Sequence, residues 1–381
     1  MAPPPVVDIH THLYPPPYLT LLSSRTSIPL VRTFPSSPHP RLILLETELP
    51  ALELALRDPS APLPGRPLTP AFTSIGEKLS FMAVHGITTS VMSLANPWLD
   101  FLGPAEAAAM AREVDGAFEE MCAAQKGKDR KLYFFAAPPL TAGIPALLEY
   151  LSELAGKYKH CRGIILGTSG LGLGLDDTSL LPIFHKLAAL NLPVFLHPHY
   201  GLPPSVFGPR AETGEYGHVL PLALGFPMET TVAVARMYLA GVFDAVPALR
   251  MILAHSGGTL PFLAGRIESC VRHDGKLMGS GKKRGRTVWE VLREQVYLDA
   301  VVYSEVGLRA AVEASGVERL MFGTDHPFFP PVGEEEGAEV WDSVKLNVEA
   351  VEKALGKGSE EAGMVMGGNA ARVLRLFDEE E

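Results

Sequence analysis

The sequence is poor in cysteine and has no excess of positive charge. Its 381 residues include three cysteines, Cys122, Cys161 and Cys270, and none of them lies in a Cys-x-x-Cys pair. This spacing argues against a disulfide framework and against a thiolate zinc site. The 33 basic residues are outnumbered by 43 acidic ones, which gives a net charge of -10. Because this charge repels a phosphate backbone, nucleic-acid binding is disfavoured.

Long apolar runs are also missing. No run of about 18 apolar residues lacks charge or proline, so the sequence predicts no membrane span. Residues 1–5 are rich in proline and lack the basic and apolar regions of a secretion signal. We therefore expect a cytoplasmic protein. A hydrophobic content of 47% is typical of a compact protein with a sizeable core.

A glycine-rich phosphate-binding turn does not follow the first predicted strand. Residues 6–12 alternate in a pattern that predicts a short buried strand, and Tyr14-Pro15-Pro16-Pro17 comes after it. A doubly wound open sheet that binds a dinucleotide usually has Gly-x-Gly-x-x-Gly at this point. The prolines therefore disfavour that fold, which we keep as the structural alternative.

What the sequence does have is a regular alternation of strand and helix patterns. Short apolar runs typical of buried parallel strands occur at 6–12, 88–94, 132–136, 162–166, 194–197, 250–255, 296–299 and 319–325. Segments with helical spacing occur at 105–125, 143–157, 179–190, 228–243, 259–272, 303–315, 341–355 and 360–377. Eight strands joined by helices are the number that closes a (β/α)8 TIM-type barrel.

The segment between the first two strands is too long for a loop. Residues 14–86 are rich in proline, serine and leucine, and structureless loops of this length are uncommon inside a compact domain. We expect a small inserted subdomain at about 14–86 that walls or covers the site. The chain, 1–381, is otherwise expected to be a single domain. Helices at about 341–377 would close the barrel or serve a homodimer.

Polar side chains follow the ends of the predicted strands. His10 and His12 share one face of the first strand, because side chains alternate along a strand. His197 ends the fifth strand and Asp325 ends the eighth. The carboxyl ends of barrel strands open on one face, so these residues are expected to meet there. Such a ligand set suits a divalent ion, zinc above all, with manganese or iron as alternatives. Spacing alone does not exclude His199 as a metal ligand.

Two further candidates lie at or after the sixth strand. His255 ends it, and this histidine could be a fifth ligand, a proton shuttle or a substrate contact. A bond to a neighbouring carbonyl group is its structural alternative. Arg266 suits an anionic substrate or an internal ion pair, and we slightly favour the ion pair.

Other candidates lie in irregular segments. Arg66, Arg32 and Arg210 have nearby prolines and could reach a substrate carboxylate. His218 lies in the long loop after the fifth strand, where a structural role is equally compatible with the sequence. Phe328 would provide an apolar wall on which a flat ring could stack, although aromatic residues of this kind are core packing by default.

Four motifs together resemble the metal-dependent amidohydrolase superfamily. They are Asp8-Ile9-His10-Thr11-His12, His197-Pro198-His199, Ala254-His255-Ser256-Gly257-Gly258 and Phe322-Gly323-Thr324-Asp325-His326-Pro327. The branch to which they are similar is the clan of aminocarboxymuconate-semialdehyde, γ-resorcylate and 5-carboxyvanillate decarboxylases. No pattern for a carboxylated lysine occurs on the fourth strand. The resemblance therefore implies one metal ion and no organic cofactor.

Further segments are similar to the iso-orotate (uracil-5-carboxylate) decarboxylase family. They include 28–34, 93–98, 163–172 and 216–231, so the resemblance covers most of the chain. It implies a zinc ion on the four residues at the strand ends. It also implies a pocket for uracil-5-carboxylate that is lined by Asn96, Arg66, His255 and Phe328.

The activity implied by this resemblance is a decarboxylation. The substrate's carboxylate and adjacent oxygen would bind the ion, and Asp325 or His255 would deliver the proton that replaces CO2. The product would be uracil, which suits a pyrimidine salvage route from thymine. The alternatives are decarboxylation of another aromatic acid of the resorcylate type, hydrolysis of a lactone, ester or amide, and a barrel that holds metal without catalysis.

Overall fold

Eight parallel strands form the sheet at the centre of the fold. The computed structural model describes residues 5–212, 214–279 and 285–377. The strands within them are β1 (Val7–Leu13), β2 (Leu30–Arg32), β3 (Arg41–Ile43), β4 (Arg66–Pro67), β5 (Thr89–Leu94), β6 (Lys131–Ala136), β7 (Cys161–Gly167), β8 (Val194–His197), β9 (Met251–Leu253), β10 (Val296–Asp299) and β11 (Leu320–Met321).

The central sheet closes on itself. β1 and β5 to β11 are hydrogen-bonded in chain order. Between the last strand and the first, the amide of Ile9 donates to the carbonyl oxygen of Phe322 at 3.1 Å, and Thr11 pairs with His326 in parallel. The predicted (β/α)8 barrel is confirmed, and the open doubly wound sheet is wrong.

Helices cover the outside of the barrel. They are α1 (Pro16–Ser24), α2 (Leu49–Arg57), α3 (Pro70–Thr73), α4 (Ile75–Val84), α5 (Pro104–Ala123), α6 (Ile144–Lys157), α7 (Leu181–Ala189), α8 (Pro209–Glu212), α9 (Phe226–Ala240), α10 (Val242–Ala245), α11 (Leu260–His273), α12 (Gly275–Gly279), α13 (Val288–Glu294), α14 (Glu305–Ser315), α15 (Asp342–Leu355), α16 (Glu360–Gly363) and α17 (Asn369–Leu374). Every residue of β1, β5 and β7 is buried, which explains why the strand sequences are so apolar. Among the described segments, no helix has the length and apolarity needed to cross a bilayer.

The segment after β1 folds into a small antiparallel sheet with helices. β2, β3 and β4 pair in that order. A separate apolar cluster supports them, formed by Leu30, Phe34, Ile43, Leu52 and Ala55. α3 and α4 then lead back to β5, so this segment stands beside the carboxyl end of β1.

Two barrel strands are shorter than predicted, and α1 and α13 are helices that were missed. β9 ends at Leu253, because His255 and Ser256 adopt left-handed backbone angles, with φ of 54° and 51°. β11 ends at Met321, and Asp325 beyond it has a φ of 57°. α13 lies in a stretch for which no helix was predicted. The capping box formed by Thr287 and Glu290 is the signal that marks its start.

A buried carboxyl group lies between α5 and α6. The Tyr150 hydroxyl donates to Oδ2 of Asp115 at 2.6 Å, whereas Oδ1 is buried and has no partner among the described residues. Burial raises the pKa of Asp115 from 3.8 to about 8. This carboxyl group is therefore protonated in the folded protein at neutral pH.

Asp115→Asn is expected to flatten the pH dependence of stability. Because the folded state raises the pKa of Asp115, the protonated carboxyl group makes its full contribution to the free energy of unfolding below about pH 4. This contribution is lost as the pH rises through about 8. An amide has no such transition. Between pH 5 and pH 8, the Tm of the wild type should fall relative to that of the variant by about 3 °C or more. Differential scanning calorimetry would measure Tm against pH, with a substitution of an exposed residue, Asp129→Asn, as the control. Parallel profiles for the wild type and Asp115→Asn would contradict the assignment of a raised pKa to Asp115.

Candidate metal centre and active site

Three strand ends carry the four predicted ligands. His10 and His12 lie on β1, His197 is the last residue of β8, and Asp325 lies in the segment after β11. All four residues are buried, and one ligand atom from each lies within 4.8 Å of the others. The barrel therefore brings together residues from opposite ends of the chain.

The atoms that face one another lack other partners. The Nε2 atoms of His10, His12 and His197 are buried and have no hydrogen-bond partner among the described residues. Oδ1 of Asp325 lies 3.3 Å from Nε2 of His10 and 3.6 Å from Nε2 of His12. Leaving buried polar atoms unpaired is costly, and a divalent ion satisfies this donor set. The residues thus fit a single metal ion.

Each histidine is held through its other ring nitrogen. Nδ1 of His10 lies 2.6 Å from Oδ2 of Asp299, and Nδ1 of His12 lies 2.9 Å from Oγ of Ser93. Nδ1 of His197 lies 2.7 Å from the carbonyl oxygen of the next residue, Pro198. These contacts orient the rings so that every Nε2 points to the common centre.

The charges in the centre favour ligands without protons, except at His10. Burial lowers the pKa of His12 to about 4 and that of His197 well below its usual range. Burial also lowers the pKa of His10, but the carboxylates of Asp325 and Asp299 outweigh it and raise this pKa to about 10. Burial would raise the pKa of Asp325, yet the adjacent imidazoles hold it well below its usual range. A proton on Nε2 of His10 would therefore compete with a cation for this nitrogen and for the Asp325 carboxylate.

The unusual backbone at Asp325 is fixed by its neighbours. The amide of Asp325 donates to the carbonyl oxygen of His10 at 2.8 Å. The amide and hydroxyl of Thr324 donate to the carboxylate of Asp8 at 3.1 and 2.8 Å. Asp8 also accepts the amide of His10 at 3.2 Å, so one buried carboxylate fastens both ligand segments.

Arg66 and Phe328 form one side of the centre. The Phe328 ring centroid lies 5.3 Å from that of His12. The Arg66 guanidinium contacts two aromatic rings and lies 4.6 Å from the centroid of Phe328 and 4.8 Å from that of Phe72. Nη2 of Arg66 donates to the Tyr14 hydroxyl at 2.8 Å. The predicted pair is thus an aromatic wall with a cation held against it.

Asn96 and His255 also lie near this centre. The amide group of Asn96 donates to the carbonyl oxygen of His199, while its Oδ1 is buried without a partner among the described residues. Nε2 of His255 lies 3.6 Å from Oδ2 of Asp325, and its ring centroid is 5.1 Å from that of His10. Buried Nδ1 of His255 has no described partner either. Each of these two side chains therefore has a buried polar atom that is available for a hydrogen bond to a ligand.

The family assignment follows from a match along nearly the whole chain. A family model described as "Amidohydrolase" matches residues 7–376. The chain belongs to this family. This amidohydrolase is 32% identical over 219 residues to 2-amino-3-carboxymuconate-6-semialdehyde decarboxylase of Dictyostelium discoideum, a match that covers 56% of this chain and 53% of that protein. The chain thus spans about half the length of that relative.

Two solved structures extend the comparison. The crystal structure of Metarhizium anisopliae IDCase in apo form matches with a TM-score of 0.92 and 63% identity, and the match covers 99% of this chain and 98% of that one. A 5-carboxyvanillate decarboxylase of Novosphingobium aromaticivorans, complexed with manganese and 4-hydroxy-3-methoxy-5-nitrobenzoic acid, matches with a TM-score of 0.71 and 18% identity, over 98% and 96% of the two chains. The predicted resemblance and the decarboxylase class of this amidohydrolase are confirmed.

Three of the histidine and arginine candidates turn away from the centre of this amidohydrolase. Nε2 of His199 faces Oδ1 of Asp100 at 3.3 Å, because Pro198 interrupts the strand alternation. His218 and Arg266 are exposed, and no described contact joins either side chain to the four ligands. The substrate-binding roles of His218 and Arg266 therefore stay predictions, and the favoured ion pair of Arg266 has no partner among the described residues.

The sequence analysis missed two groups that support the site of this amidohydrolase. Asp299 ends β10, and the rule used for the other strand ends could have found it. Lys78 of α4 is fully buried and donates to the Thr11 hydroxyl and to Nδ1 of His326, the latter at 2.5 Å. Burial lowers the pKa of Lys78 to about 7. No sequence pattern separates this lysine from an ordinary helix-surface one.

Proposed function

We propose that this amidohydrolase removes the carboxyl group of uracil-5-carboxylate and releases uracil and CO2. The observation that carries the proposal is the 63% identity to IDCase, an iso-orotate decarboxylase, over 99% of this chain. The buried cluster of three imidazoles and one carboxylate supports the same chemistry. The reaction would serve pyrimidine salvage, as a step that follows oxidation of a methyl group on the ring to a carboxyl group.

We assign one divalent ion, zinc, to His10, His12, His197 and Asp325. When bound, this ion would supply a Lewis acid for the substrate carboxylate and the adjacent ring oxygen. Zinc suits a centre with three imidazole nitrogens. Manganese is the alternative, because a decarboxylase of the same fold was crystallised with it.

The side chains around the centre would hold the ring. Phe328 offers an aromatic face near His12 for the flat pyrimidine. Arg66 provides positive charge beside that face for an electron-rich oxygen. Asn96 has a buried amide oxygen without a described partner, and this atom would accept a ring N–H. These contacts would orient the carboxyl group toward the four ligands.

The reaction needs one proton for the carbon that loses CO2. The carbon–carbon bond breaks, its electron pair stays on C5, and C5 takes a proton. Asp325 and His255 are the candidates for its delivery, and their facing atoms lie 3.6 Å apart. In our proposal His255 passes a proton to Asp325, which protonates C5 as CO2 leaves.

A second candidate function is decarboxylation of a benzoic acid of the resorcylate type. It is favoured by 27% identity over 296 residues to a γ-resorcylate decarboxylase of a Polaromonas strain, a match that covers 84% of that enzyme. A dihydroxybenzoate has the same adjacent carboxylate and oxygen as uracil-5-carboxylate. That oxygen is a phenolic hydroxyl in the benzoate and a ring carbonyl in the uracil acid. The benzene ring also lacks the ring N–H that Asn96 would bind.

Turnover of a small substrate panel distinguishes these functions. Protein reconstituted in parallel with zinc and manganese would receive uracil-5-carboxylate, 2,6-dihydroxybenzoate and a small lactone, with chromatographic detection of the products. We expect uracil from the first substrate, with a kcat/KM at least about tenfold above that for the benzoate. Faster conversion of the benzoate would favour the second function, and opening of the lactone alone would sink both.

A further inference from the structure

A tyrosine outside every predicted group lies in the loop after β10. Tyr303 lies between β10 and α14, on the barrel end where Asp299 and Asp325 lie. Its hydroxyl oxygen is buried and has no hydrogen-bond partner among the described residues. Burial raises the pKa of Tyr303, and the carboxylates of Asp325 and Asp299 raise it further. The phenol is therefore a neutral donor within the electrostatic range of the ligand cluster.

The backbone holds Tyr303 in an orientation that aromatic residues rarely adopt. Its φ is 55°, in the left-handed region. Oδ1 of buried Asn347 accepts the amides of Tyr303 and Val302 at 2.8 and 3.2 Å. The amide group of Asn347 reaches the carbonyl oxygen of Gly323 at 3.5 Å. Asn347 thus ties the Tyr303 loop to the segment that carries Asp325.

Two buried tyrosines elsewhere in this protein have partners for their hydroxyl groups. Tyr150 donates to Asp115 at 2.6 Å, and Tyr18 donates to the carbonyl oxygen of Trp98 at 3.0 Å. The ring of Tyr303 packs edge-on against Phe329, with centroids 5.7 Å apart, so a phenylalanine would serve this packing equally well. A buried hydroxyl without a partner lowers stability. Packing therefore accounts for an aromatic ring at position 303 but not for its hydroxyl group.

We propose that the Tyr303 hydroxyl donates a hydrogen bond to the carboxylate of the bound substrate. The carboxylate is the part of the substrate that the four-ligand centre would attract. Tyr303 lies at the same end of the barrel, and its buried hydroxyl has no acceptor within the part of the chain that the structure describes. Tyr303 is then a catalytic-site residue that recognises the acid group, whereas Asn96 and Phe328 act on the ring. The inference rests on the proposed function only for the identity of the ring.

Tyr303→Phe separates this role from a structural one. The variant loses one oxygen atom, so we expect its Tm to equal or exceed that of the wild type. The KM for uracil-5-carboxylate should rise about 10-fold to 100-fold, which corresponds to one hydrogen bond to a charged group. The inhibition constant of uracil, which has no carboxylate, should stay within about twofold.

Tyr150→Phe is the matched control, because the Tyr150 hydroxyl already has a partner in Asp115 of α5. It should lower the Tm and leave the KM unchanged. For Tyr303→Phe, a lower Tm with an unchanged KM would overturn the proposal. An equal weakening of uracil binding and of uracil-5-carboxylate binding would also overturn it.

A calorimetric titration of metal-loaded protein with uracil-5-carboxylate measures binding separately from turnover, so the proposed function and the role of Tyr303 are tested independently. If the wild type binds the acid more tightly than the variant but forms no uracil, the proposed function fails and the role of Tyr303 stands; if the wild type does not bind the acid, both fail.

Discussion

Asp325→Asn is expected to lower the rate of uracil formation by about 1,000-fold or more. Asp325 lies among His10, His12 and His255, with its oxygens 3.3 to 3.6 Å from their Nε2 atoms. An amide has nearly the same shape but carries no charge and cannot deliver a carboxyl proton. The substitution therefore removes both assigned roles of Asp325 and preserves the packing.

The measurement is the initial rate of uracil formation at saturating metal, together with the metal content of the purified variant. Exposed Asp342→Asn, in the first turn of α15, is the matched control and should behave like the wild type. Turnover by Asp325→Asn within about tenfold of the wild type would remove this carboxylate from the mechanism.

Asp299→Asn is expected to weaken metal binding by about 10-fold to 100-fold. Oδ2 of Asp299 lies 2.6 Å from Nδ1 of His10, and the carboxylate also accepts the amides of His255 and Ser256 at 2.9 and 2.8 Å. One buried charge thus sets the ring orientation of a ligand and the position of His255. An amide in its place would lose the charge that favours Nδ1–H on His10.

Competition with a chromophoric chelator would measure the affinity of the Asp299→Asn variant for zinc. Ser93→Ala is the matched control, because it removes the neutral partner of His12, 2.9 Å from Nδ1, and its effect should be smaller. Equal affinity of Asp299→Asn and the wild type would show that His10 does not depend on this contact.

The strand-end residues could be predicted because a barrel imposes a simple rule. β1, β8 and the segment after β11 all open on the same face, so His10, His12, His197 and Asp325 had to converge. Asp299 obeys the same rule, but a lone aspartate at the end of an apolar run carries no motif. The positions of these residues in the chain were sufficient to find the centre and could have placed Asp299 beside it, but they do not show that Asp299 orients His10.

Residues outside the strands were harder to predict because their orientation depends on tertiary contacts. Arg266 could have faced either side of its helix, and it is exposed. Lys78 has the sequence context of a surface lysine, yet α4 buries it against Thr11 and His326. Tyr303 depends on a left-handed backbone that Asn347 holds from more than 40 positions away. A dimer formed through residues 341–377 stays a prediction.

Metal content measured together with product formation from uracil-5-carboxylate tests the central claim most directly. Protein would be stripped with a chelator, reloaded with increasing zinc and assayed for uracil and CO2 at each step. We predict that both products appear in equal amounts and that their rate rises linearly until one metal ion is bound per chain. Full activity in the stripped protein, or full metal occupancy without uracil, would contradict the assignment.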